Sequence, residues 1–329
     1  MTKWKLPNET GIFGVLVVVF VVLSLLSPTF FTVSNTFTLL LNATVIAILS
    51  LGQTFVLLTS GIDLSVGAGI ALSGVIAAVA MQDGLSWGVS VILALLATVL
   101  IGIFNGVVIH YIKVPAFIVT FATMGVASSI PLILTSAVPI PILNQSFAFI
   151  GQGFLGPVPF PVILLAVLAI VAYLILSRTV FGLHVYSVGG NRESARLAGV
   201  NTAKIDILVY SISGLMSGVA GLIDASRLMS GYPTAGSGNS LFFSISAAVV
   251  GGVSLFGGIG TIPGAIIGAL LIGTLSDGMN ILNVSSYWQS LVIGLIILLG
   301  VTFDTIRTSQ KEKMSFRKVL SAKFAGKKV

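Results

Sequence analysis

Long stretches without a charged residue constrain this chain more than any other feature. Residues 10–62, 114–177 and 228–276 contain no Asp, Glu, Lys or Arg. A helix needs about 20 apolar residues to cross the hydrocarbon core of a bilayer, so each stretch has room for more than one span. Backbone groups in lipid must be hydrogen-bonded within the protein, which helices achieve on their own. The sequence therefore predicts an all-α, polytopic integral membrane protein.

Composition excludes several classes of protein. Apolar residues make up 56% of the 329 positions and charged residues only 8%, whereas soluble domains have about 45–50% and about 25%. The chain has no cysteine, which excludes disulfides and cysteine metal sites. It also lacks a G-x-x-x-x-G-K-S/T phosphate loop and any nucleophile, base or metal constellation. We therefore predict that it is not an enzyme and holds no cofactor or metal of its own.

Apolar runs separated by turn residues predict about ten transmembrane helices. The predicted segments are residues 11–26, 38–59, 64–80, 87–109, 115–135, 161–177, 205–226, 241–255, 263–280 and 286–303. The third and eighth are short enough to be broken or re-entrant helices. Glycines at 251–252 and 257–260 predict close helix packing or a re-entrant turn beside the eighth segment.

Basic residues orient these helices, because Lys and Arg accumulate in cytoplasmic loops. With both termini in the cytoplasm, all but one of the 16 basic residues fall on the inner side, and the exception is Arg227. Residues 1–306 then form a transmembrane domain, with the cytoplasmic loop 178–204 inside it, and residues 307–329 form a basic cytoplasmic tail.

The basic tail has two alternative interpretations. Phe316, Leu320 and Phe324 recur at four-residue intervals, so the tail can lie as an amphipathic helix on anionic membrane lipid. The alternative is a disordered segment that serves only to orient the protein. Nucleic-acid binding is not expected, because the positive charge lies where membrane topology places it.

The cytoplasmic loop 178–204 has the signals of a short helix. Asn191 is a favourable N-cap, Glu193 lies in the first turn, and Gly199 stands where a C-terminal cap belongs. This loop is the only sizeable inner loop that the predicted topology contains, so we expect one structured helix on the cytoplasmic face.

Charged residues at membrane depth are costly, which makes the few present candidates for function. Asp63 lies in the segment GIDLSVG (61–67), between the second and third predicted helices. Either Asp63 or Ser65 caps the third helix, or this break lines a polar pathway, since irregular backbone in a membrane surrounds a cavity. The two interpretations are compatible.

Asp277 interrupts the ninth predicted helix within a polar run that ends at Asn280. Facing lipid would be expensive for a carboxylate, so we expect Asp277 to face the helix bundle. It either contacts a substrate or bonds a neighbouring helix.

Several motifs together resemble the ribose-type permease subunits of bacterial sugar ABC importers. They are GIDLSVG (61–67), PAFIVT (115–120), GGNRESARLAG (189–199), PTAG (233–236) and VSSY (284–287). The similarity extends from about residue 26 to residue 304, and no single motif carries it.

The resemblance implies a set of partners. Two membrane subunits, identical or different, form the pathway, a separate cytoplasmic ATPase consumes ATP, and an extracytoplasmic binding protein delivers a monosaccharide. It implies that the inner loop docks the ATPase through Gly190, Asn191, Arg192, Glu193, Arg196, Leu197 and Gly199. Together with the charged and polar positions above, it indicates a substrate pathway lined by Asp63, Ser65, Phe117, Thr120, Asp277 and Asn280. The location implied is the bacterial plasma membrane.

The sequence departs from the family pattern in two places, so it does not determine which solute is transported. Relatives carry a Glu and an Asp shortly after the PTAG segment, where this chain has NSLFFS (239–244). They have paired Asn in the ninth helix, where this chain has Ser276 and Asp277. An alternative function is an ion-coupled secondary transporter of a small polar solute, in which Asp63 or Asp277 binds the coupling cation.

Overall fold

A computed structural model describes residues 9–285, 287–302 and 305 of the chain. Its main elements are helices, and two pairs of two-residue strands connect loops. The helices are α1 Thr10–Leu26, α2 Val33–Leu58, α3 Val66–Gln82, α4 Trp87–Val107, α5 Ala116–Thr135, α6 Gln145–Gln152, α7 Phe160–Arg178, α8 Val180–Gly190, α9 Arg192–Leu197, α10 Thr202–Leu228, α11 Ser240–Val250, α12 Ile262–Ile281 and α13 Tyr287–Thr302. The strands are β1 Ile140–Pro141, β2 Phe154–Leu155, β3 Val158–Pro159 and β4 Ser230–Gly231. The predicted tail at 307–329 lies outside the described residues.

Six helices in the described part of the chain are long and apolar enough to cross a membrane: α2, α4 with its π-helical extension Val108–Ile112, α5, α7, α10 and α12. Four shorter apolar helices accompany them, namely α1, α3, α11 and α13. Each of these helices overlaps one of the segments predicted from the sequence. The chain is therefore an all-α polytopic membrane protein.

Helix α11 is too short to span a bilayer alone. Its 11 residues rise about 16 Å at 1.5 Å per residue, about half of a typical hydrocarbon core. The eighth predicted segment, 241–255, is thus wrong at its end: the helix stops at Val250, and Gly252, Gly257 and Gly258 follow with left-handed φ values of +91°, +83° and +69°. Glycine adopts this conformation without a steric penalty, so the glycine cluster forms a turn.

Helices α2, α3 and α10 form the centre of the molecule. In their most apolar windows, 78% of α2 and 67% of α10 residues are buried, against 17% in α7. Helices α4, α5 and α7 expose Val, Ile, Leu and Phe side chains on their outer faces. Exposed apolar side chains on helices of this length are suited to contact lipid.

Glycines allow α4 and α10 to pack closely. Gly102 and Gly106 on α4 face the α10 backbone, and a Cβ at Gly106 would lie 2.5 Å from Ile207 Cα. On α10, Gly214 and Gly218 face Thr98 of α4 in the same way. Both helices therefore present two glycines four residues apart, the spacing that lets transmembrane backbones approach.

Contacts between the termini of the helices define two opposite ends of the molecule, a first end and a second end. At the first end, Glu9 Oε1 lies 2.7 Å from Thr261 Oγ1, Ser60 Oγ donates to Phe256 O, and Arg192 pairs with Asp206. At the second end, β1 pairs with β4, Asn35 bonds Asp277, and Gln152 Nε2 donates to Arg227 O. Helices α2, α10 and α12 each run from one end of the molecule to the other.

Candidate functional site

Helix α9 at the first end is defined by its two caps. The Asn191 side chain accepts a hydrogen bond from Ser194 N at 2.8 Å. After the helix, Gly199 has φ +86°, and Gly199 N and Val200 N donate to Arg196 O and Ala195 O, both at 3.0 Å. This pair of bonds is a Schellman motif, which closes a helix at a left-handed glycine. The predicted inner-loop helix is thus present, and it is six residues long.

One face of α9 is turned towards solvent. Glu193 and Arg196 form an exposed ion pair at 2.6 Å, and this hydrogen bond lowers the pKa of the Glu193 carboxyl. Leu197 is 75% exposed although it is apolar, and Gly190 is also exposed. An exposed leucine beside a charged pair on a short helix is suited to contact another protein.

Arg192 reaches from α9 to the start of α10, with 48% of its side chain exposed. Its guanidinium donates two bonds to Asp206, from Nη1 to Oδ2 at 2.6 Å and from Nη2 to Oδ1 at 2.9 Å. Asp206 is buried at the start of α10, and His110 Nδ1 lies 2.7 Å from its Oδ2. The hydrogen bond with Asp206 raises the pKa of Arg192. Sequence reasoning missed Asp206, although an acid near the start of an apolar span is a signal that singles it out.

A polar cavity of about 790 Å³ lies beside this ion pair. It is bounded by the end of α2, the junction between α4 and α5, helix α9 and the start of α10, and its wall includes His110, Lys113, Arg192 and Asp206. This cavity separates α9 from the α4–α5 junction. The side of α9 that faces the cavity is therefore accessible from the first end.

Asp63 is buried in the break between α2 and α3. Its Oδ1 accepts bonds from Ser65 N at 2.9 Å and Ser65 Oγ at 2.6 Å, and its Oδ2 accepts one from Ser213 Oγ of α10 at 2.7 Å. Gln53 of α2 also donates to the Asp63 backbone carbonyl. The carboxylate thus shapes the turn into α3 and joins it to α10, whereas its predicted contact with substrate stays a prediction.

Ser65 extends this network to two further helices. Asn105 Nδ2 of α4 donates to Ser65 Oγ at 3.2 Å, and Thr123 Oγ1 of α5 donates to Asn105 Oδ1 at 2.8 Å. Sequence reasoning missed Asn105, Thr123 and Ser213. Each is a polar side chain within a predicted span, but nothing local distinguishes it from the many other Ser, Thr and Asn residues there.

Phe117 and Thr120 lie within one turn of each other on α5 but differ in exposure. Thr120 is buried and donates to Ala116 O at 2.8 Å and to Ile62 O at 3.3 Å, so it packs near Asp63. Phe117 is 57% exposed and stacks on Phe121, with ring centroids 6.1 Å apart. Of these two residues, only Phe117 therefore has a side chain exposed on the surface of the subunit.

Asp277 and Asn280 lie at the second end. Asn35 Nδ2 of α2 donates to Asp277 Oδ2 at 2.8 Å, and Gln289 Nε2 of α13 donates to Asn280 Oδ1 at 2.7 Å. Asp277 is buried, as expected for a residue facing the bundle, and Asn280 is exposed. The predicted pathway residues thus form two groups, one around Asp63 and one at the second end.

Comparison with known proteins identifies the family. Residues 35–301 match the family described as "Branched-chain amino acid transport system / permease component". The chain is 40% identical to the ribose import permease protein RbsC of Escherichia coli K12, over 92% of this chain and 95% of that protein. It is 39% identical to the L-arabinose permease AraH of Azospirillum brasilense, over 94% and 91%. It is 33% identical to the xylose permease XylH of Haemophilus influenzae, over 85% and 90%. No solved structure matches it.

These matches cover nearly the whole of the described helix bundle, and the relatives are bacterial transport permeases of similar length. The chain therefore belongs to this family of transport-system permease components, and it is a multi-pass protein of the bacterial plasma membrane, not an enzyme.

Proposed function

We propose that this chain is the membrane-spanning permease subunit of an ABC importer for a monosaccharide. The observation that carries the proposal is its 40% identity, over 92% of its length, to a ribose import permease. The relatives named for arabinose and xylose support a pentose or a related small sugar as the solute. The sequence departs from the family pattern at 239–244 and 276–277, so ribose itself is one candidate among several.

A separate ATPase supplies the energy in this proposal. The first end is cytoplasmic, since Arg178, Arg192, Arg196 and Lys204 lie there and positive residues mark the inner side. Helix α9 docks the ATPase through its exposed Glu193, Arg196 and Leu197. The second end faces an extracytoplasmic sugar-binding protein. A second permease subunit, identical or different, completes the pathway. Ten membrane segments place both termini in the cytoplasm, and α11 crosses together with the glycine turn after it, since Gly258 N donates to Leu58 O at the first end.

The candidate pathway residues receive distinct positions in this proposal. Phe117 faces outwards on α5 and is available to a second subunit, whereas Asp277 and Asn280 lie at the outer mouth. Asp63, Ser65 and Thr120 are enclosed within one subunit, so they act on the pathway by holding α3 and α5 in place.

Reconstitution in proteoliposomes tests the proposed function. The chain is purified with its partner ATPase and a sugar-binding protein, and uptake of labelled pentoses, hexoses and polyols is measured. We expect uptake only with the ATPase, ATP and the binding protein present. Uptake by the permease alone under a proton or sodium gradient would instead establish the ion-coupled alternative, which further requires Asp63→Asn or Asp277→Asn to uncouple uptake from the gradient.

A variant of α9 tests the docking surface. Replacing Glu193 and Arg196 together by Ala removes the exposed ion pair and leaves the Arg192–Asp206 pair in place. We expect weaker copurification of the ATPase with unchanged membrane insertion. Unchanged copurification would remove this face from the proposed docking role.

A further inference from the structure

Helix α10 carries a polar stripe that begins beside α9. Its members are Asp206, Tyr210, Ser213 and Ser217, spaced four, three and four residues apart. Residues at these intervals share one face of an α-helix. All four are buried, and the stripe extends about 16 Å along the helix, from the first end into the membrane-spanning part.

Each member of the stripe bonds a different part of the protein. Asp206 holds Arg192 of α9 and His110 at the end of α4. Tyr210 Oη donates to Ile62 O at 3.4 Å, Ser213 Oγ donates to Asp63 Oδ2 at 2.7 Å, and Ser217 Oγ donates to Val66 O at 2.6 Å. The last three partners are the break between α2 and α3 and the first residue of α3.

Ser211 on the same helix shows that this arrangement is specific to one face. Its hydroxyl donates to Ile207 O, within α10, at 2.6 Å. A serine that bonds its own helix carries no force to a neighbouring segment. The stripe residues, by contrast, are the ones that join α10 to the docking helix on one side and to the α2–α3 break on the other.

We propose that this stripe is a mechanical relay between α9 and the α2–α3 break, with Asp206 as the positioning residue that links α10 to the docking helix. The proposal rests on the proposed function, since the motion of α9 is supplied by a docked ATPase. A bidentate guanidinium–carboxylate pair fixes both distance and orientation, so α9 cannot shift without pulling the start of α10.

The rest of the relay depends on the stiffness of α10. This helix has 27 residues, and its glycines lock it against α4. A packed helix moves as a unit, so displacement at Asp206 reaches Tyr210, Ser213 and Ser217 together. These three side chains in turn move their partners Ile62, Asp63 and Val66. The displacement then reaches Thr123 on α5 through the hydrogen bonds of Ser65 and Asn105. The break at 59–65 is the segment that changes conformation.

Two variants and two controls test the relay in the full assembly of permease, ATPase and binding protein. Asp206→Asn removes the charge at the start of the stripe, and Ser213→Ala removes one hydroxyl from its middle. Ser211→Ala is the matched control on the same helix, and Asp83→Asn removes one exposed acid from the α3–α4 turn. D-ribose, L-arabinose and D-xylose, each radiolabelled, serve as the probes, and the readout is the number of sugar molecules imported per ATP hydrolysed.

We expect Asp206→Asn and Ser213→Ala each to lower import per ATP about tenfold, as a coupling free energy of ordinary size implies. ATPase copurification and basal ATP hydrolysis stay within about twofold of the unmodified assembly, which a variant that merely unfolds does not achieve. Ser211→Ala and Asp83→Asn leave import per ATP unchanged. Ser213→Ala removes a single oxygen, so it keeps the test valid where Asp206→Asn impairs folding.

The double variant separates a relay from two independent defects. Asp206 and Ser213 lie about 10 Å apart along α10, a distance at which independent effects usually add. In a relay, breaking a second link causes no further loss of coupling. The double variant therefore imports as much sugar per ATP as the single variant with the lower import. Normal coupling in both single variants, or a product of the two losses in the double variant, would overturn the relay. Absence of ATP-driven uptake by the unmodified assembly would instead contradict the proposed function.

Discussion

Asp63 illustrates how a carboxylate is accommodated between membrane helices. A buried charge without partners costs several kcal/mol, and the usual solution is to surround it with donors. Here Ser65 supplies two donors and Ser213 a third, and these bonds connect the start of α3 to α10. The sequence left open whether Asp63 caps a helix or lines a pathway. The structure shows that Asp63 bonds Ser65 in the turn before α3, while neither Asp63 nor Ser65 makes a side-chain cap hydrogen bond to that helix, and the pathway role stays a prediction.

Replacing Asp63 distinguishes these two roles. Asp63→Ala leaves Ser65 and Ser213 without their acceptor in a buried site, so we expect a loss of about 2–4 kcal/mol in stability. Asp63→Asn keeps an acceptor oxygen and should lose less. Thermal unfolding of the purified protein in detergent measures both. If Asp63→Ala melts like the unmodified protein yet abolishes uptake, the carboxylate acts on the solute and not on the fold.

The close contact between α4 and α10 requires glycine. Gly106→Ala places a methyl group against the Ile207 backbone, and relieving such an overlap typically costs about 1–3 kcal/mol. Gly14→Ala on α1 is the matched control, because a Cβ there meets nothing within 4 Å. We expect a lower midpoint of thermal unfolding for Gly106→Ala only. Equal midpoints for the two variants would show that α4 and α10 separate easily.

Among the elements, those defined by local signals were predicted best. Helix α9 was predicted from Asn191, Glu193 and Gly199, and its caps form as expected because caps depend on residues within one turn. The Arg192–Asp206 pair and the Asp63–Ser213 bond could not be predicted, since they join residues 14 and 150 positions apart. Hydropathy identifies which segments enter the membrane, but it does not identify which polar side chains meet there.

We expect the C-terminal cap of α9 to affect binding of the ATPase. Gly199→Ala places a Cβ at φ +86°, which costs about 1 kcal/mol and loosens the last turn that carries Leu197. Gly156→Ala introduces comparable backbone strain at φ +61° in the turn between β2 and β3, where a Cβ has free space. We expect weaker ATPase binding for Gly199→Ala alone, measured by titration of the ATPase onto permease in nanodiscs. Comparable losses in both variants would mean that general strain, not the α9 cap, determines binding.

Considered as a whole, the molecule has two chemically different ends. The first end holds the charged α9 region and the polar cavity, whereas the second end holds the short strand pairs and a loop region with exposed Leu143 and Phe154. Helices α10 and α12 run from the first end to the second, and α2 runs in the opposite direction. This arrangement agrees with the basic-residue pattern, because the second end carries few basic side chains and the first end many.

The assignment of the two ends to the two sides of the membrane is testable because the chain contains no cysteine. A single cysteine introduced at Leu143, which is 87% exposed, reports on the second end, and one at Leu197, which is 75% exposed, reports on the first. In intact cells a membrane-impermeant maleimide should label Leu143→Cys strongly and Leu197→Cys only after permeabilisation. A cysteine at Lys328 should behave like the one at Leu197, since an even number of spans returns the C-terminus to the cytoplasm. Labelling of Lys328→Cys in intact cells, with Leu197→Cys still protected, would require an odd number of spans between α9 and the tail.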